Sequence, residues 1–506
     1  MPPGQTQKHP TPYPVPVLNL PAALSSMTSV TNSAATILWF RQDLRIYDNP
    51  ALHAAQHDGN ILPVYILDDV NAGAWKMGGA SRVWLHQSLQ ELNKSLGGKL
   101  RVFCGDAGSI LLELIEQTDA KIVHWNRCYE PWRIQRDQRI KSKFLDRGVK
   151  ASSHNGSLLW EPWTILKTDA TPYKVYTPYY KNGCLGAFDP RQPEPAPKKL
   201  HFAQIGTLTN ECRLEELNLE PSIRWDSGIK KTWQVGEDAA VSKLESFIRN
   251  GLQRYKIGRD FPASNSTSRL SPHLHFGEIS PHQVWYRIKQ EEAQFGSDDL
   301  TQYLREIAWR EFSYYLLYHW PHIPEKPFNP KYAEFPWRHN QRELAQWQKG
   351  ETGFPIIDAG MRELWQTGYM HNRVRMIVAS FLVKNQLINW RDGQAWFWDC
   401  LVDADLASNS ASWQWSAGCG ADASPYFRIF NPVLQSEKFD PEGIYIKQYC
   451  PELTGLSRKM LHKPWEAKTE MLKIAGVELG VNYPKPILDI KVTRQRALEV
   501  ERSLSV

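Results

Sequence analysis

The sequence predicts an α/β domain, a long connector and an all-helical domain, in that order along the chain. Short apolar strands alternate with amphipathic helices over residues 36–165. Pro, Gly and Lys interrupt residues 166–235, where little periodicity remains, and helical periodicity is nearly continuous over 236–506. A chain of 506 residues is also too long for a single hydrophobic core.

The first domain is predicted from its strands. Strands are expected at Thr36, where ILWF follows, at Ile61–Leu67, and in the stretches LRVFCG and KIVHWN, with a helix at Ile110–Glu116 between the last two. A further helix is predicted where leucines recur at i, i+4, i+7 and i+11, at Leu85, Leu89, Leu92 and Leu96. Alternating strands and helices favour a parallel, doubly wound sheet. A dinucleotide-dehydrogenase site is not supported, because no G-x-G-x-x-G follows the first strand.

Composition restricts the class of protein. Residues 1–35 contain seven prolines, which is typical of a disordered or polyproline-like tail and not of a targeting peptide. No run approaches the roughly 18 apolar residues of a membrane span. The seven cysteines form no C-x-x-C pair, so free thiols, no metal and a cytoplasmic location are expected. The net charge of +6 permits a polyanionic partner without requiring one. Tryptophan is abundant, and 14 of the 21 tryptophans follow residue 200.

The stretch from Arg305 to Trp415 is the most informative part of the chain. It reads REIAWREF, then TGYMHNRVRM, NWRDG and DADLASNSASWQW. This order of ionisable and aromatic residues resembles the helical FAD-binding domain of the DNA photolyase and cryptochrome family, and it is closest to cyclobutane pyrimidine dimer photolyases of the class I type. The resemblance covers roughly residues 36–460. It implies a light-driven repair enzyme in which reduced FAD donates an electron to cyclobutane dimers in DNA and splits them back to monomeric pyrimidines.

The resemblance also implies a flavin site. Taken alone, the hydroxyl-rich run TSRLS is an ordinary helix N-cap cluster, and Asp403 or Asp405 an ordinary helix-terminal carboxylate. In the family, the matching positions hold the FAD diphosphate and line the bent flavin, where Asp403 would be able to pair with Arg375, and an Asn at position 409 faces flavin N5. The expected cofactor-binding residues are Tyr255, Thr267, Ser268, Arg269, Leu270, Ser271, Tyr303, Arg375, Asp403, Ala404, Asp405 and Asn409. Tyr303 stands where the family usually has Trp.

A lesion pocket is expected beside the flavin. Glu306, Trp309 and Arg310 share one helical face by their i, i+3, i+4 spacing. From the residues alone, a surface pair between Glu306 and Arg310 with Trp309 in the core is favoured. The resemblance assigns Glu306 to a pyrimidine carbonyl and Trp309 to stacking on the extruded lesion. It adds Asn372 and Met376, and it places Asn409 with the catalytic residues.

Two residues of this pocket separate the branches of the family. Photolyases for (6-4) photoproducts need two histidines where this chain has Asn372 and Met376. His371, one position away, is interpreted as a capping or core histidine. The residues therefore favour a cyclobutane dimer. UV-damaged DNA is the expected partner, with contacts from Arg259, Glu306, Trp309, Arg310, Asn372, Arg373 and Gln435.

Three tryptophans match the family's electron-transfer chain: Trp413, Trp390 and Trp337. Each of them, taken alone, is typical of an ordinary core aromatic residue. Trp398 and Trp415 are alternatives for the first step of electron transfer. A second, antenna chromophore is also expected, near Asn126, Tyr129 and Glu130 at a strand end. It is either 5,10-methenyltetrahydrofolate or 8-hydroxy-5-deazaflavin.

Two other functions stay open at this point. The rival hypothesis is a cryptochrome-type blue-light photoreceptor, and the third is a nucleic-acid-binding flavoprotein without catalysis. A monomer without an obligate protein partner is expected.

Overall fold

The structure is a computed structural model that describes residues 35–293, 297–423 and 427–504. Apart from Ala35, the predicted N-terminal tail lies outside the described residues. Within these three ranges, we find no helix with both the length and the apolar character needed to cross a bilayer.

Six strands form one sheet in the N-terminal part. They are β1 (Thr36–Phe40), β2 (Ile61–Leu67), β3 (Arg101–Cys104), β4 (Ile122–Asn126), β5 (Lys150–His154) and β6 (Glu211–Cys212). The order is β5-β4-β1-β2-β3-β6, with β1 to β5 parallel and β6 antiparallel to β3. Helices α1 (Pro50–Asp58), α2 (Gly79–Ser95), α3 (Ala107–Thr118) and α4 (Pro131–Leu145) connect the parallel strands.

This arrangement confirms the predicted doubly wound sheet. Strands β1 and β2 are completely buried, which explains their continuous apolar sequence. Strand β5 was not predicted, because its sequence KASSH is polar and its residues are only partly buried or exposed.

The connector carries structure that its composition did not predict. It contains α5 (Tyr176–Pro178), a π-helix (Tyr179–Cys184), α6 (Leu185–Ala187), strand β6 and α7 (Ser227–Thr232). Tyr176 and Tyr179 are buried and belong to the apolar core of the helical domain. The connector therefore packs against both domains. The domain boundaries themselves stay a prediction.

The remainder is helical. The helices are α8 (Glu237–Asn250), α9 (Tyr255–Gly258), α10 (Ser271–Phe276), α11 (Pro281–Lys289), α12 (Ser297–His319), α13 (Gln341–Lys349), α14 (Pro355–Thr367), α15 (Asn372–Ser380), α16 (Trp390–Cys400), α17 (Leu406–Ala417), α18 (Pro432–Phe439), α19 (Ile444–Tyr449), α20 (Arg458–Leu461), α21 (Thr469–Ile474) and α22 (Ile490–Ser503). A π-helix (Phe381–Asn385) continues α15. Short 3-10 turns occur at Gly73–Trp75, Pro162–Thr164, Leu214–Leu217, Pro330–Tyr332, Pro451–Leu453 and Pro464–Glu466.

Helix caps fix the elements that carry the predicted site. Asp405 caps α17, where its carboxylate accepts the backbone N–H of Ser408 at 2.7 Å. His371 caps α15, where its Nδ1 accepts the backbone N–H of Arg373 at 3.2 Å. Each cap satisfies a backbone donor that the first helical turn leaves free. The start of each helix, and hence the direction of its first side chains, is fixed in this way.

Candidate functional site

Asp403 is the centre of the predicted flavin side. Its carboxylate accepts the Ser271 hydroxyl at 2.5 Å and the Arg375 guanidinium at 2.9 Å. The Nε of Arg375 donates in turn to the Met370 carbonyl at 2.7 Å. The structure thus pairs Arg375 with Asp403 as the sequence suggested, and it joins this pair to the start of α10.

Asp405 supplies a fixed negative charge on the same side. It accepts a hydrogen bond from the Tyr314 hydroxyl, and His275 Nδ1 lies 3.8 Å from its Oδ2. Burial acts to raise the pKa of Asp405, but the electrostatic attraction of the nearby His275, the Tyr314 hydrogen bond and the charge of Arg310 outweigh it and lower the pKa to about 2. The carboxylate is therefore ionised throughout the ordinary pH range.

An aromatic wall closes this region. The ring of Tyr303 lies edge-on to Tyr255 at 5.1 Å and tilted against Phe247 at 4.7 Å between centroids. Burial raises the pKa of Tyr303, whose hydroxyl interacts with the Ser268 side chain. Tyr303 therefore keeps both an aromatic face and a link to the hydroxyl-rich turn where the family usually has Trp.

The residues of this turn fit FAD. Arg269 has a left-handed backbone at φ 51°, and its guanidinium lies over Trp233 and Tyr369, 4.5 and 4.7 Å from their centroids. Its Nε is buried and has no hydrogen-bond partner in the described chain. A cation with an unused donor, beside the hydroxyls of Thr267 and Ser268, is the donor set that binds a diphosphate. Leu270 is buried behind this turn, and Ala404 is buried between the two aspartates.

Asn409 lies one turn into α17 and is nearly buried. Its Nδ2 donates to the Gln394 carbonyl at 3.1 Å. Because the amide nitrogen is engaged there, the side chain can offer its oxygen as an acceptor. This orientation is the one expected of a side chain that accepts a hydrogen bond from a protonated flavin nitrogen.

Glu306 defines the lesion side. Its Oε1 accepts hydrogen bonds from the Arg259 guanidinium and from Gln302 Nε2, the latter at 2.7 Å. The expected alternative, a pair between Glu306 and Arg310, does not form. Glu306 is held in place yet partly exposed, with 27% of its side chain accessible.

Trp309 is partly exposed, and one face of its ring is covered by the connector. Its ring stacks on Tyr176 of the connector with 3.7 Å between centroids and 9° between planes. Tyr176 itself is anchored by donating to the Arg305 carbonyl at 2.8 Å. Since Tyr176 covers one face of a half-buried indole, the opposite face is the one that can stack on a base.

Helix α15 completes the lesion side. Asn372 Nδ2 lies 4.0 Å from Met376 Sδ, and Arg373 Nη1 lies 3.8 Å from the same sulfur. Arg373 pairs with Asp260 at 2.6 Å and stacks on Phe439 of α18 at 4.3 Å. Gln435 is on the same helix as Phe439, one turn earlier. The structure thus brings Arg259, Arg373 and Gln435 to one rim.

Arg310 does not belong to this rim. It donates to the Ser157 carbonyl and to Glu311, both at 2.9 Å, and its guanidinium lies over Tyr314 at 4.9 Å. These partners lie at the boundary with the α/β domain, where Glu311 also accepts the backbone N–H of Leu159 at 2.7 Å. Its side chain joins the two domains, and these partners speak against the predicted contact of Arg310 with DNA, which stays a prediction.

The three predicted electron-transfer tryptophans lie in one apolar cluster. Trp390 and Trp413 are buried, and Trp337 is half-buried. Trp413 packs directly on Gly393, three residues after Trp390, since a Cβ added at Gly393 would lie 2.1 Å from the indole. Arg338, the residue after Trp337, forms an isolated backbone β-bridge with Ile388, which lies just before the start of α16. All three therefore surround one end of α16.

The two alternative tryptophans point elsewhere. Trp398 Nε1 donates to the Lys76 carbonyl at 2.7 Å, at the boundary with the α/β domain. Trp415 lines a small cavity together with Met376, Ser380 and Lys384. Trp415 thus lies beside Met376 of the predicted lesion pocket, whereas the sequence suggested it only for electron transfer. Its spacing of two residues from the buried Trp413 was the available signal, because such residues face opposite sides of a helix.

A larger cavity opens at the carboxyl edge of the sheet. It measures about 740 Å³ including its mouth and is lined by Glu130, among others. Its other lining side chains include Trp39, Arg41, Trp132, Arg133 and Arg136. Asn126, by contrast, bonds to Asp43 and Asn49 at 2.6 and 2.7 Å, and the Tyr129 hydroxyl donates to Glu161 at 2.8 Å. Of the three predicted antenna residues, only Glu130 lines this cavity.

Comparison with known proteins agrees with this geometry. Residues 36–198 match the family described as DNA photolyase, and residues 303–503 match the FAD binding domain of DNA photolyase. A deoxyribodipyrimidine photo-lyase of Agrobacterium fabrum is 48% identical over 470 residues, covering 92% of this chain and 97% of that protein. Cryptochrome-2 of Arabidopsis thaliana is 40% identical over 477 residues, covering 91% of this chain and 77% of the relative.

A solved structure provides the third comparison. A bacterial class III photolyase from Agrobacterium tumefaciens superposes with a TM-score of 0.90 at 47% identity, covering 95% of this chain and all of the other. A sheet domain joined to a helical flavin-binding domain defines the class of protein. The chain belongs to the DNA photolyase and cryptochrome family, and its helical domain is an FAD-binding domain. The class I assignment is not supported, because this strong likeness is to a class III enzyme.

Proposed function

We propose that this chain is a deoxyribodipyrimidine photo-lyase that uses light to split cyclobutane pyrimidine dimers in DNA. The observation that supports this most strongly is that the residues of the predicted lesion opening, Glu306, Trp309, Asn372 and Met376, are all at least partly exposed. They offer a carboxyl, an indole and an amide, but no histidine pair. Class III is the branch that the structural likeness favours.

Each residue of the opening has a distinct part in this proposal. Bound FAD would supply an electron to the lesion under blue or near-ultraviolet light and would take it back after the dimer has split. Trp309 stacks on the extruded dimer, and Asn372 orients it by hydrogen bonds. Glu306 binds a pyrimidine carbonyl and stabilises the negative charge that develops there, while Arg259 and Gln302 keep its carboxyl in place. Asn409 and Asp403 orient the flavin from the other side.

DNA binding in this proposal comes from the rim. Arg259, Arg373 and Gln435 contact the phosphates on either side of the lesion. Such contacts do not depend on sequence, which suits an enzyme that must find damage in any sequence. Trp413, Trp390 and Trp337 would have a separate part: under light, they would pass electrons inward from an external reductant to oxidised FAD and so restore its reduced form.

We further propose an antenna chromophore in the cavity at the carboxyl edge of the sheet. Planar Trp39 and Trp132 alternate there with the cations Arg41, Arg133 and Arg136. The same lining contains Asp68, Asp69 and Glu130, and Arg133 and Arg136 are paired with Glu130 and Asp68, so the planar side chains and not the net charge suit a flat ring system such as the folate or the deazaflavin. The two remain alternatives. A cytoplasmic monomer without an obligate protein partner, with domain boundaries near residues 165 and 235, completes the proposal.

The second candidate is a cryptochrome-type photoreceptor. The 40% identity to Arabidopsis cryptochrome-2 favours it. Asn409 argues against it, since the matching residue of plant cryptochromes is Asp. The retained Glu306, Trp309, Asn372 and Met376 argue in the same direction.

A repair assay tests the proposal. Purified FAD-loaded protein is given an oligonucleotide with one cyclobutane dimer, a reductant, and either light or darkness. Light-dependent reversal is expected, and a matched oligonucleotide with a (6-4) photoproduct should remain unrepaired. Binding without repair would favour the photoreceptor, and efficient (6-4) reversal would overturn the substrate assignment.

A further inference from the structure

The connector inserts one aromatic side chain, that of Tyr176, into the helical domain. Its neighbours Lys174, Val175 and Thr177 are exposed, whereas Tyr176 is buried, with 2% of the residue accessible. The place that it fills lies directly behind Trp309, on which its ring stacks with 3.7 Å between centroids and 9° between planes. A single buried residue in an exposed stretch indicates a contact that is specific to this side chain.

Tyr176 holds Trp309 through the helix backbone as well as through its ring. The Tyr176 hydroxyl donates to the Arg305 carbonyl at 2.8 Å. In an α-helix, that carbonyl is also the acceptor for the N–H of the residue four positions later, which is Trp309. Burial raises the pKa of Tyr176, so its hydroxyl stays protonated and keeps this hydrogen bond. The indole and the helical turn from which it projects are therefore fixed by the same residue.

Two further aromatic rings hold this stack in position. Tyr180 lies nearly parallel to Tyr176, with 5.8 Å between centroids and 10° between planes. Phe312 meets both Tyr176 and Trp309 edge-on, at 5.9 Å from each. A partly exposed indole without such neighbours samples several rotamers, and a ligand that stacks on it must immobilise it. With its plane set in advance, Trp309 can stack on a flat ligand without that loss of entropy.

We propose that Tyr176 is a positioning residue of the lesion pocket, which orients the Trp309 indole before the lesion binds. The inference rests on the proposed function, since that function supplies the ligand of Trp309. Tyr176 does not touch the lesion in this proposal and acts only through Trp309. The connector, and not the helical domain alone, then determines the affinity for damaged DNA.

Two substitutions at Tyr176 separate the effect of the ring from that of the hydroxyl. Tyr176→Met removes the flat ring but fills much of its volume with a flexible apolar side chain. Tyr176→Phe keeps the ring and loses only the hydrogen bond to Arg305. Tyr180→Met is the matched control, because it makes the same change at a buried tyrosine of the connector whose ring stacks on Tyr176 rather than on Trp309.

The first measurement needs neither light nor DNA. Tryptophan is replaced by 5-fluorotryptophan in the FAD-loaded protein, and the ¹⁹F signal of Trp309 is assigned by its absence from Trp309→Phe. A single Trp309 signal is expected in the parent protein, in Tyr176→Phe and in Tyr180→Met. In Tyr176→Met the signal should shift or split, because the indole then samples several orientations. Several Trp309 signals in the parent protein would overturn the proposal, whatever the variants show.

The second measurement is the ratio of two affinities of the FAD-loaded protein, for an oligonucleotide with one cyclobutane dimer and for the same oligonucleotide undamaged. Tyr176→Met should lower this ratio roughly three- to tenfold, the range of one aromatic stack, and Tyr176→Phe and Tyr180→Met should lower it less than about twofold. In a Trp309→Ala background, Tyr176→Met should have no further effect, because the residue through which Tyr176 acts is gone.

Two results of this second measurement would contradict the proposal. An equal fall of the ratio in Tyr180→Met would mean that a loosened connector is the cause. A fall of the same size in the Trp309→Ala background would show that Tyr176 acts by another route. If the parent protein does not distinguish damaged from undamaged DNA, the proposed function fails, while the ¹⁹F signal still decides whether Tyr176 fixes the orientation of Trp309.

Discussion

The flavin side and the lesion side of the site use the same kind of interaction in different surroundings. On the flavin side, Asp403 is almost buried, with 3% of its side chain exposed, and Ser271 and Arg375 both bond to it. On the lesion side, the carboxylates of Glu306 and Asp260 are 27% and 34% exposed, and each is paired with an arginine. Buried pairs are costly to break, whereas half-exposed pairs exchange partners with water or phosphate at little cost. In the proposed function, the flavin side would therefore hold its ligand firmly, and the lesion side would release its ligand readily.

The largest effect of a substitution is expected in α17, because this helix carries residues of both the flavin side and the lesion side. Trp413 faces the buried cluster and Trp415 the lesion-side cavity. Trp413→Phe should nearly abolish photoreduction of oxidised FAD, because Phe keeps the apolar volume but is far harder to oxidise. Chemically reduced Trp413→Phe should still split dimers. Absorbance spectroscopy under blue light measures the first result and a repair assay the second.

Trp415→Phe is the matched control. It should photoreduce at the parental rate and bind lesions less well. Parental photoreduction in Trp413→Phe would remove that residue from the chain. Loss of repair in the pre-reduced protein would mean that Trp413 shapes the site itself.

The second-largest effect is expected from a substitution that breaks the buried pair of Asp403 and Arg375. Asp403→Asn leaves Arg375 and Ser271 without their anionic partner in a buried setting. This costs about 2 to 4 kcal/mol, so the dissociation constant of FAD should rise on the order of a hundredfold. Asp260→Asn makes the same change on the lesion side and should alter FAD binding less than about fivefold. Equal losses in the two variants would show that burial does not distinguish the two sides.

The sequence predicted the elements better than the directions of the side chains. Strands β1 to β4 and helix α3 were expected because their apolar patterns are local. Strand β6 was missed, since two residues, Glu211 and Cys212, carry no pattern and form a strand only by pairing with β3. Tyr176 was missed for a similar reason: its stack on Trp309 joins positions 133 residues apart, a relation that no local pattern contains.

Arg310 shows the same limit within one helix. The i, i+4 spacing places its backbone near that of Glu306, but a long side chain turns toward whichever partners are present. Those partners are Glu311 and the Ser157 carbonyl. Asp403 and Arg375, by contrast, were paired correctly because the family resemblance supplied the long-range contact.

A smaller effect is expected at Glu306. Glu306→Ala removes the carboxyl that stabilises charge on the dimer, while Trp309 and the rim arginines still bind the lesion. The repair yield per absorbed photon should fall several-fold, with a normal flavin spectrum and a smaller change in lesion affinity. Gln302→Ala is the control, since it removes one donor to Glu306 and leaves the carboxyl paired with Arg259. An unchanged yield in Glu306→Ala would exclude a role in the reaction.

The smallest effect concerns how the affinity for DNA depends on salt concentration. Arg373 is paired with the partly exposed Asp260, so it can exchange that partner for a phosphate. Arg373→Gln should weaken binding to damaged and undamaged DNA alike and reduce the slope of log affinity against log salt by about one phosphate contact, roughly 0.7 to 0.9. Arg310→Gln should leave the slope unchanged, because Arg310 is bound to Glu311 and Ser157 at the domain boundary. Both slopes are measured by titration at several salt concentrations on protein whose flavin absorbance is intact. A reduced slope in Arg310→Gln would return that residue to the DNA rim, and it would mean that the domain boundary opens when DNA binds.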